Sequence, residues 1–109
     1  MNIKTLSAYL LFMAAILGHI SCSNADGNFS SIEKKIIKDS DSIMRVLTTR
    51  SEEDMTVLRA KSTDLSAQTL AGDEFSRLKE LMVATVTHPS QDGVGIAGPQ
   101  VGLNRRIVA

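Results

Sequence analysis

The chain has 109 residues, 43% of them apolar, with twelve basic side chains balanced by twelve acidic ones. This is the composition of one ordinary globular domain and excludes a disordered tail. The charges are interleaved, so no Lys/Arg block stands ready to neutralise a run of phosphates, which argues against a nucleic-acid partner.

Residues 1–21 read as an export signal. Met1-Asn2-Ile3-Lys4 supplies a short positive start, residues 6–20 are uncharged and mostly apolar, and Ser21-Cys22-Ser23 offers small residues where cleavage falls. A spanning helix needs about 20 apolar residues, so the segment is expected to be cleaved and not to stay as an anchor. Cys22 is the only cysteine, which excludes an intrachain disulfide. Ser21-Cys22 resembles the junction at which bacterial lipoprotein signals are cut and the cysteine is lipidated, although His19 departs from the usual Leu; the alternative is an unmodified thiol. The expected product is exported, either periplasmic or held at a membrane through a lipid on Cys22.

Residues 22–31 are read as a polar tether and residues 32–109 as the folded domain. With no Trp and 4% aromatic residues, its core must rest on Ile, Leu, Val and Met. Ser30-Ser31-Ile32-Glu33 fits a capping box, and Ile32, Ile36 and Ile37 follow at helical spacing, so a short helix is predicted here. Asp39-Ser40-Asp41-Ser42 should interrupt it, because short polar side chains compete for backbone hydrogen bonds. Residues 43–48, with β-branched Val46 and Thr48, are a candidate strand.

The clearest element is a helix over residues 69–87. Leu70, Phe75, Leu78, Leu81, Met82 and Val86 recur at three- and four-residue steps, while Asp73, Glu74, Arg77, Lys79 and Glu80 take the other face. Asp73 and Glu74 suit the positive end of the helix dipole, and Gly72 or Asp73 can cap it. His88-Pro89 should close it, since the residue before proline is pushed out of helical geometry. His88 is therefore read as a helix-end residue that meets the last carbonyls, not as a metal ligand. Beyond a glycine-rich loop, residues 106–109 begin like a strand.

That loop, Gly93-Val94-Gly95-Ile96-Ala97-Gly98-Pro99-Gln100, contains G-x-G-x-x-G. A dinucleotide-binding reading needs a strand before the motif and a helix opening at its last glycine. Here a helix precedes it, and Pro99, Val101 and Gly102 make a poor helix opening. A kinase glycine loop wants Val where Gln100 stands. By spacing alone, a loop that merely turns remains open.

The whole string resembles the first signature of peptide deformylases, G-hydrophobic-G-hydrophobic-A-A-x-Q, with Gly98 in place of the second Ala. Val101-Gly102-Leu103-Asn104-Arg105-Arg106-Ile107-Val108 is similar to the family's continuation into a strand. Met44-Arg45-Val46-Leu47 and Val57-Leu58-Arg59-Ala60-Lys61-Ser62 are similar to its opening strand and leucine-arginine segment. The resemblance implies an α+β fold, of which this chain would be the amino-terminal part: helix, glycine-rich loop and strands. It implies hydrolysis of the N-formyl group from formyl-methionyl peptides, with water activated by a divalent metal, iron or zinc. Gln100 would be the catalytic residue, donating its amide to the developing oxyanion. Gly93, Val94 and Gly95 would bind the substrate in an extended pose, and Gly98 would loosen the turn that Pro99 stiffens again.

The family's other signatures, E-G-C-x-S and H-E-x-x-H, supply the thiolate, the two imidazoles and a general acid/base glutamate, and neither occurs here. No metal ligands are therefore assigned. The leading expectation is the amino-terminal portion of a deformylase, inactive alone; the alternative is a non-catalytic exported lipoprotein or binding module derived from one.

Overall fold

A computed structural model of the chain describes residues 27–109. The expected signal segment, its cleavage junction and Cys22 lie outside the described residues. Four helices follow in order, α1 (Ser31–Asp39), α2 (Glu52–Arg59), α3 (Ala67–Leu70) and α4 (Asp73–Thr87), and then a 3-10 turn, η1 (Gly98–Val101).

α1 starts as its sequence dictates. Ser30 Oγ accepts from the Glu33 N–H at 3.2 Å, and Glu33 Oε2 accepts from the Ser30 N–H at 2.7 Å, so two of the helix's orphan donors are satisfied reciprocally. Ile37 turns inward while Ile32 stays exposed. Residues 27–30, expected in the tether, are packed. The Phe29 ring is buried, the Gly27 carbonyl accepts from the Ser66 N–H, and Asn28 Oδ1 accepts from the Thr69 hydroxyl. One aromatic ring in a polar stretch is enough apolar area to bring that stretch onto the domain.

The helix expected over 69–87 divides at Gly72. Ser66 caps the one-turn α3 through the Thr69 N–H at 3.2 Å, and the Gly72 N–H bonds Thr69 O, three residues back, which tightens and ends that turn. Gly72 then caps α4, with Asp73 and Glu74 in its first turn, and His88 ends it ahead of Pro89. The division leaves Leu70 on α3 and exposed, while Leu78, Leu81 and Met82 form the centre of the core, flanked by Phe75 and Val86. Each fully buried aliphatic side chain contributes about 1.5–3 kcal/mol. Met44, Ile96, Val101 and Leu103 complete the core from the other side, so the loop around η1 is anchored by its own apolar residues.

The expected strands do not form. Among the described residues there is no β-strand, and β pairing amounts to two isolated bridges: Thr63 with Arg105, parallel, and Ala97 with Val108, antiparallel. Residues 44–48 belong to no helix or strand, and three of their N–H groups go to separate acceptors. Met44 donates to Thr85 Oγ1 at 2.8 Å, Leu47 to Gln100 O at 2.7 Å, and Thr48 to Asp54 Oδ2 at 3.0 Å. Residues 106–109 pair with the glycine loop through a single bridge. The α+β expectation thus stands corrected to a helical arrangement in the described part.

α2 is the helix that periodicity does not reveal. Its local signal is Ser51-Glu52-Glu53-Asp54, in which Ser51 Oγ accepts from the Asp54 N–H at 3.3 Å.

A mostly buried ion pair closes the ends of the described chain on each other. Arg105 Nε and Nη2 donate to Glu33 Oε1 and Oε2 at 2.8 and 3.0 Å. Burial pushes the Glu33 carboxyl up, but the Arg105 hydrogen bonds and charge, with the Ser30 N–H, outweigh it and hold the group below its ordinary value of 4.5. A carboxylate lowered in the folded state adds stability that is complete above its unfolded value and is lost as pH falls through the folded one. In urea titrations the stability gap between wild type and Glu33→Gln should therefore be widest near neutral pH and close as the pH drops below 4.5. A constant gap would mean that Glu33 carries no such shift.

Candidate active-site wall

The glycine motif forms a loop backed by α4 and closed by η1. Asp92 takes a left-handed φ of 46° as the chain leaves α4. Residues 96–98 then run against residues 107–109: Ile96 and Ala109 exchange two backbone hydrogen bonds of 2.8 Å, and the Gly98 N–H bonds Ile107 O at 2.9 Å. Backbone groups alternate sides in such a pairing, so Gly95 and Ala97 direct theirs away from residues 107–109. Among the described residues no hydrogen bond takes the N–H or C=O of Gly95. Gly93, Val94 and Gly95 are exposed, Val94 completely, while Ile96 is buried beneath them. The result is an exposed bend at Val94 beside which the backbone groups of Gly95 have no partner among the described residues, while those of Ala97 are taken by Gln100.

Gln100 lies on η1, three residues from Ala97, and its groups are held in three ways. Its carbonyl accepts from Leu47, its N–H donates to Ala97 O at 3.0 Å, and its side-chain Oε1 accepts from the Ala97 N–H at 2.8 Å. Because a backbone N–H needs an acceptor, this last bond fixes which end of the amide is oxygen. The Nε2 donors are left on an exposed side chain, and no hydrogen bond among the described residues uses them. The turn closes at Gly102, whose φ of 94° suits a residue without a Cβ.

Gly98 does something other than loosen the turn. A Cβ built there would lie 2.7 Å from Arg105 O, 2.9 Å from Leu103 O and 2.9 Å from the Ile107 side chain. Two of these neighbours are backbone carbonyls, and Gly98 O itself accepts from the Leu103 N–H. The missing methyl lets residues 103–107 fold back on the motif. Gly98→Ala, which restores the family's usual residue, is accordingly expected to destabilise the domain by about 1–3 kcal/mol through overpacking. An unchanged urea midpoint would contradict this close approach.

A second anchor lies behind η1. Asp54, on the first turn of α2, is 5% exposed and accepts from Thr48 N–H and twice from Arg45 Nη2, at 2.8 and 2.9 Å. The Thr48 N–H, then the Arg45 guanidinium, hold its carboxyl below the usual range. Composition and spacing give no sign of this arrangement.

The wall includes no metal centre. Among the described residues no group of three or more His, Cys, Asp or Glu side chains could hold an ion. His88 is exposed at the end of α4, and its Nδ1 is 2.6 Å from Ser90 Oγ and accepts from the Ser90 N–H, so its ring meets Ser90 and not the helix's last carbonyls. The described residues do not fit the divalent metal that the motif implies. What they present is an amide donor and the unpaired backbone groups of Gly95.

A family model described as polypeptide deformylase matches residues 35–109. The chain belongs to the polypeptide deformylase family. No curated protein and no solved structure matches it.

Proposed function

We propose that residues 93–100 are the substrate wall of a peptide deformylase acting on formyl-methionyl peptides, with Gln100 as its oxyanion donor. The observation that carries this reading is the bond from the Ala97 N–H to Gln100 Oε1, which commits the amide oxygen to the loop and leaves the Nε2 donors without a partner among the described residues. A neutral amide suits a carbonyl oxygen that gains charge as its carbon becomes tetrahedral, because it donates without titrating. Gly95, with Val94 and Gly93, offers the edge on which an extended peptide is laid. The sequence has neither E-G-C-x-S nor H-E-x-x-H, so this reading assigns the metal ligands to residues outside these 109.

The test is formate release from formyl-Met-Ala-Ser by the metal-loaded product of the complete reading frame. Release is expected with the formyl peptide and not with its acetyl counterpart. No release with iron, zinc, nickel or cobalt overturns the reading and leaves a non-catalytic binding module in its place.

We also propose that the product is exported and anchored through Cys22, on the strength of the residue pattern before it. Cells fed a fatty-acid analogue should label wild type and not Cys22→Ala. Equal labelling of both would dismiss the anchor. A deformylase placed there would meet formyl peptides already released, not nascent chains.

A further inference from the structure

We infer that Asp54 is a positioning residue for Gln100, acting through Thr48 and Leu47; the inference rests on the oxyanion role proposed for Gln100. The Gln100 carbonyl is held from behind by the Leu47 N–H at 2.7 Å. Leu47 has no strand to fix it, since residues 44–48 belong to no ladder. Met44 and Val46 anchor the segment in the core, and single bonds hold it on either side of Leu47: Met44 N–H to Thr85 Oγ1 on α4, and Thr48 N–H to Asp54 Oδ2 on α2. The second is one residue from Leu47, which makes Asp54 the nearer anchor.

Asp54 is built to hold that position. It is 5% exposed, its own N–H is capped by Ser51, and Arg45 Nη2 reaches both carboxylate oxygens, which fixes their orientation. The other end of α2 is tied to the chain just after η1, because Asn104 Nδ2 donates to Val57 O at 2.7 Å. α2 therefore holds the chain after η1 directly through Asn104 and reaches Gln100 only indirectly, through Thr48 beside Leu47. Removing the Asp54 carboxylate should free Thr48 and Leu47, let the Gln100 carbonyl drift, and with it the amide whose direction Ala97 sets. A displacement of about 1 Å in a catalytic group can cost up to 10²-fold in rate.

The experiment is a double-mutant cycle on the metal-loaded product of the complete reading frame. Asp54→Ala should lower kcat for formyl-Met-Ala-Ser by roughly tenfold with little change in KM. In a Gln100→Ala background the same change should leave kcat within about a factor of two, since two residues acting through one group are not additive. Asp54→Asn keeps an acceptor for the Thr48 N–H and should restore most of kcat. Backbone hydrogen exchange on the same protein gives a readout independent of turnover. In Asp54→Ala the N–H groups of Leu47 and Ala97 should exchange faster while Gly98, bonded to Ile107 O, keeps its protection. Equal losses from Asp54→Ala in both backgrounds, or uniformly faster exchange, would show a general stability role and overturn the inference. A wild type that releases no formate would instead refute the deformylase reading, and the exchange pattern would still decide whether Asp54 holds Leu47.

Discussion

Arg105→Ala is expected to cost the domain about 3–5 kcal/mol, the usual penalty for removing one partner of a buried ion pair. Arg105 and Glu33 have side chains only 12% and 11% exposed, so the carboxylate left behind would be largely cut off from water and without its cation. The loss is wider than one pair. The same guanidinium donates from Nη2 to Asn28 O at 2.6 Å and from Nη1 to Thr63 Oγ1 and Asp64 O at 3.1 and 3.3 Å. One side chain thus joins the start of α1, the segment before α3 and the chain after η1. Whole domains are stable by only about 5–15 kcal/mol, so a change of this size should be visible as a large fall in the thermal midpoint, roughly 4–8 °C for each kcal/mol. Arg105→Lys should recover little, because an ammonium cannot reproduce the fork that meets Glu33 through Nε and Nη2 together. Thermal unfolding followed by circular dichroism measures both; a midpoint unchanged in Arg105→Ala would remove the clasp from the account of stability.

Features set by neighbouring residues were legible in the sequence. The capping box of Ser30 and Glu33, the Gly72 cap and the stop at His88-Pro89 follow from residues at most three apart in the chain, and the structure has all three. The glycine motif and Gln100 were legible as a string. Long-range polar contacts were not. Arg105 and Glu33 are 72 residues apart, and Met44 and Thr85 are 41 apart; nothing local marks either pair. The strand expected at 43–48 shows the same limit from the other side. Val46 and Thr48 favour an extended backbone, but such a segment becomes a strand only when a neighbour offers a row of acceptors, and here the acceptors are a hydroxyl, a carbonyl and a carboxylate from three different elements. At the site, the residue types predicted an amide donor, while its orientation depended on the turn at η1 that brings Gln100 back over Ala97. The role of Gly98 was also hidden, since the carbonyls that crowd it belong to residues 103 and 105 of the returning chain.

Gln100→Ala is expected to have the largest effect on activity. An oxyanion donor acts where charge develops, so its loss lowers kcat by about 10²–10³, or about 2.7–4 kcal/mol, and leaves KM nearly unchanged. The side chain is exposed and its one bond is to the Ala97 N–H, which water can reach in its place, so the fold should lose little. That separation of activity from stability distinguishes Gln100 from Arg105, whose replacement should do the reverse. The most direct test of the wall proposed at residues 93–100 is therefore the steady-state kinetics of formate release from formyl-Met-Ala-Ser, wild type against Gln100→Ala, in the metal-loaded product of the complete reading frame. A fall in kcat of about 10²–10³ at nearly constant KM and thermal midpoint is the predicted result; unchanged turnover, or a loss confined to KM, would contradict it.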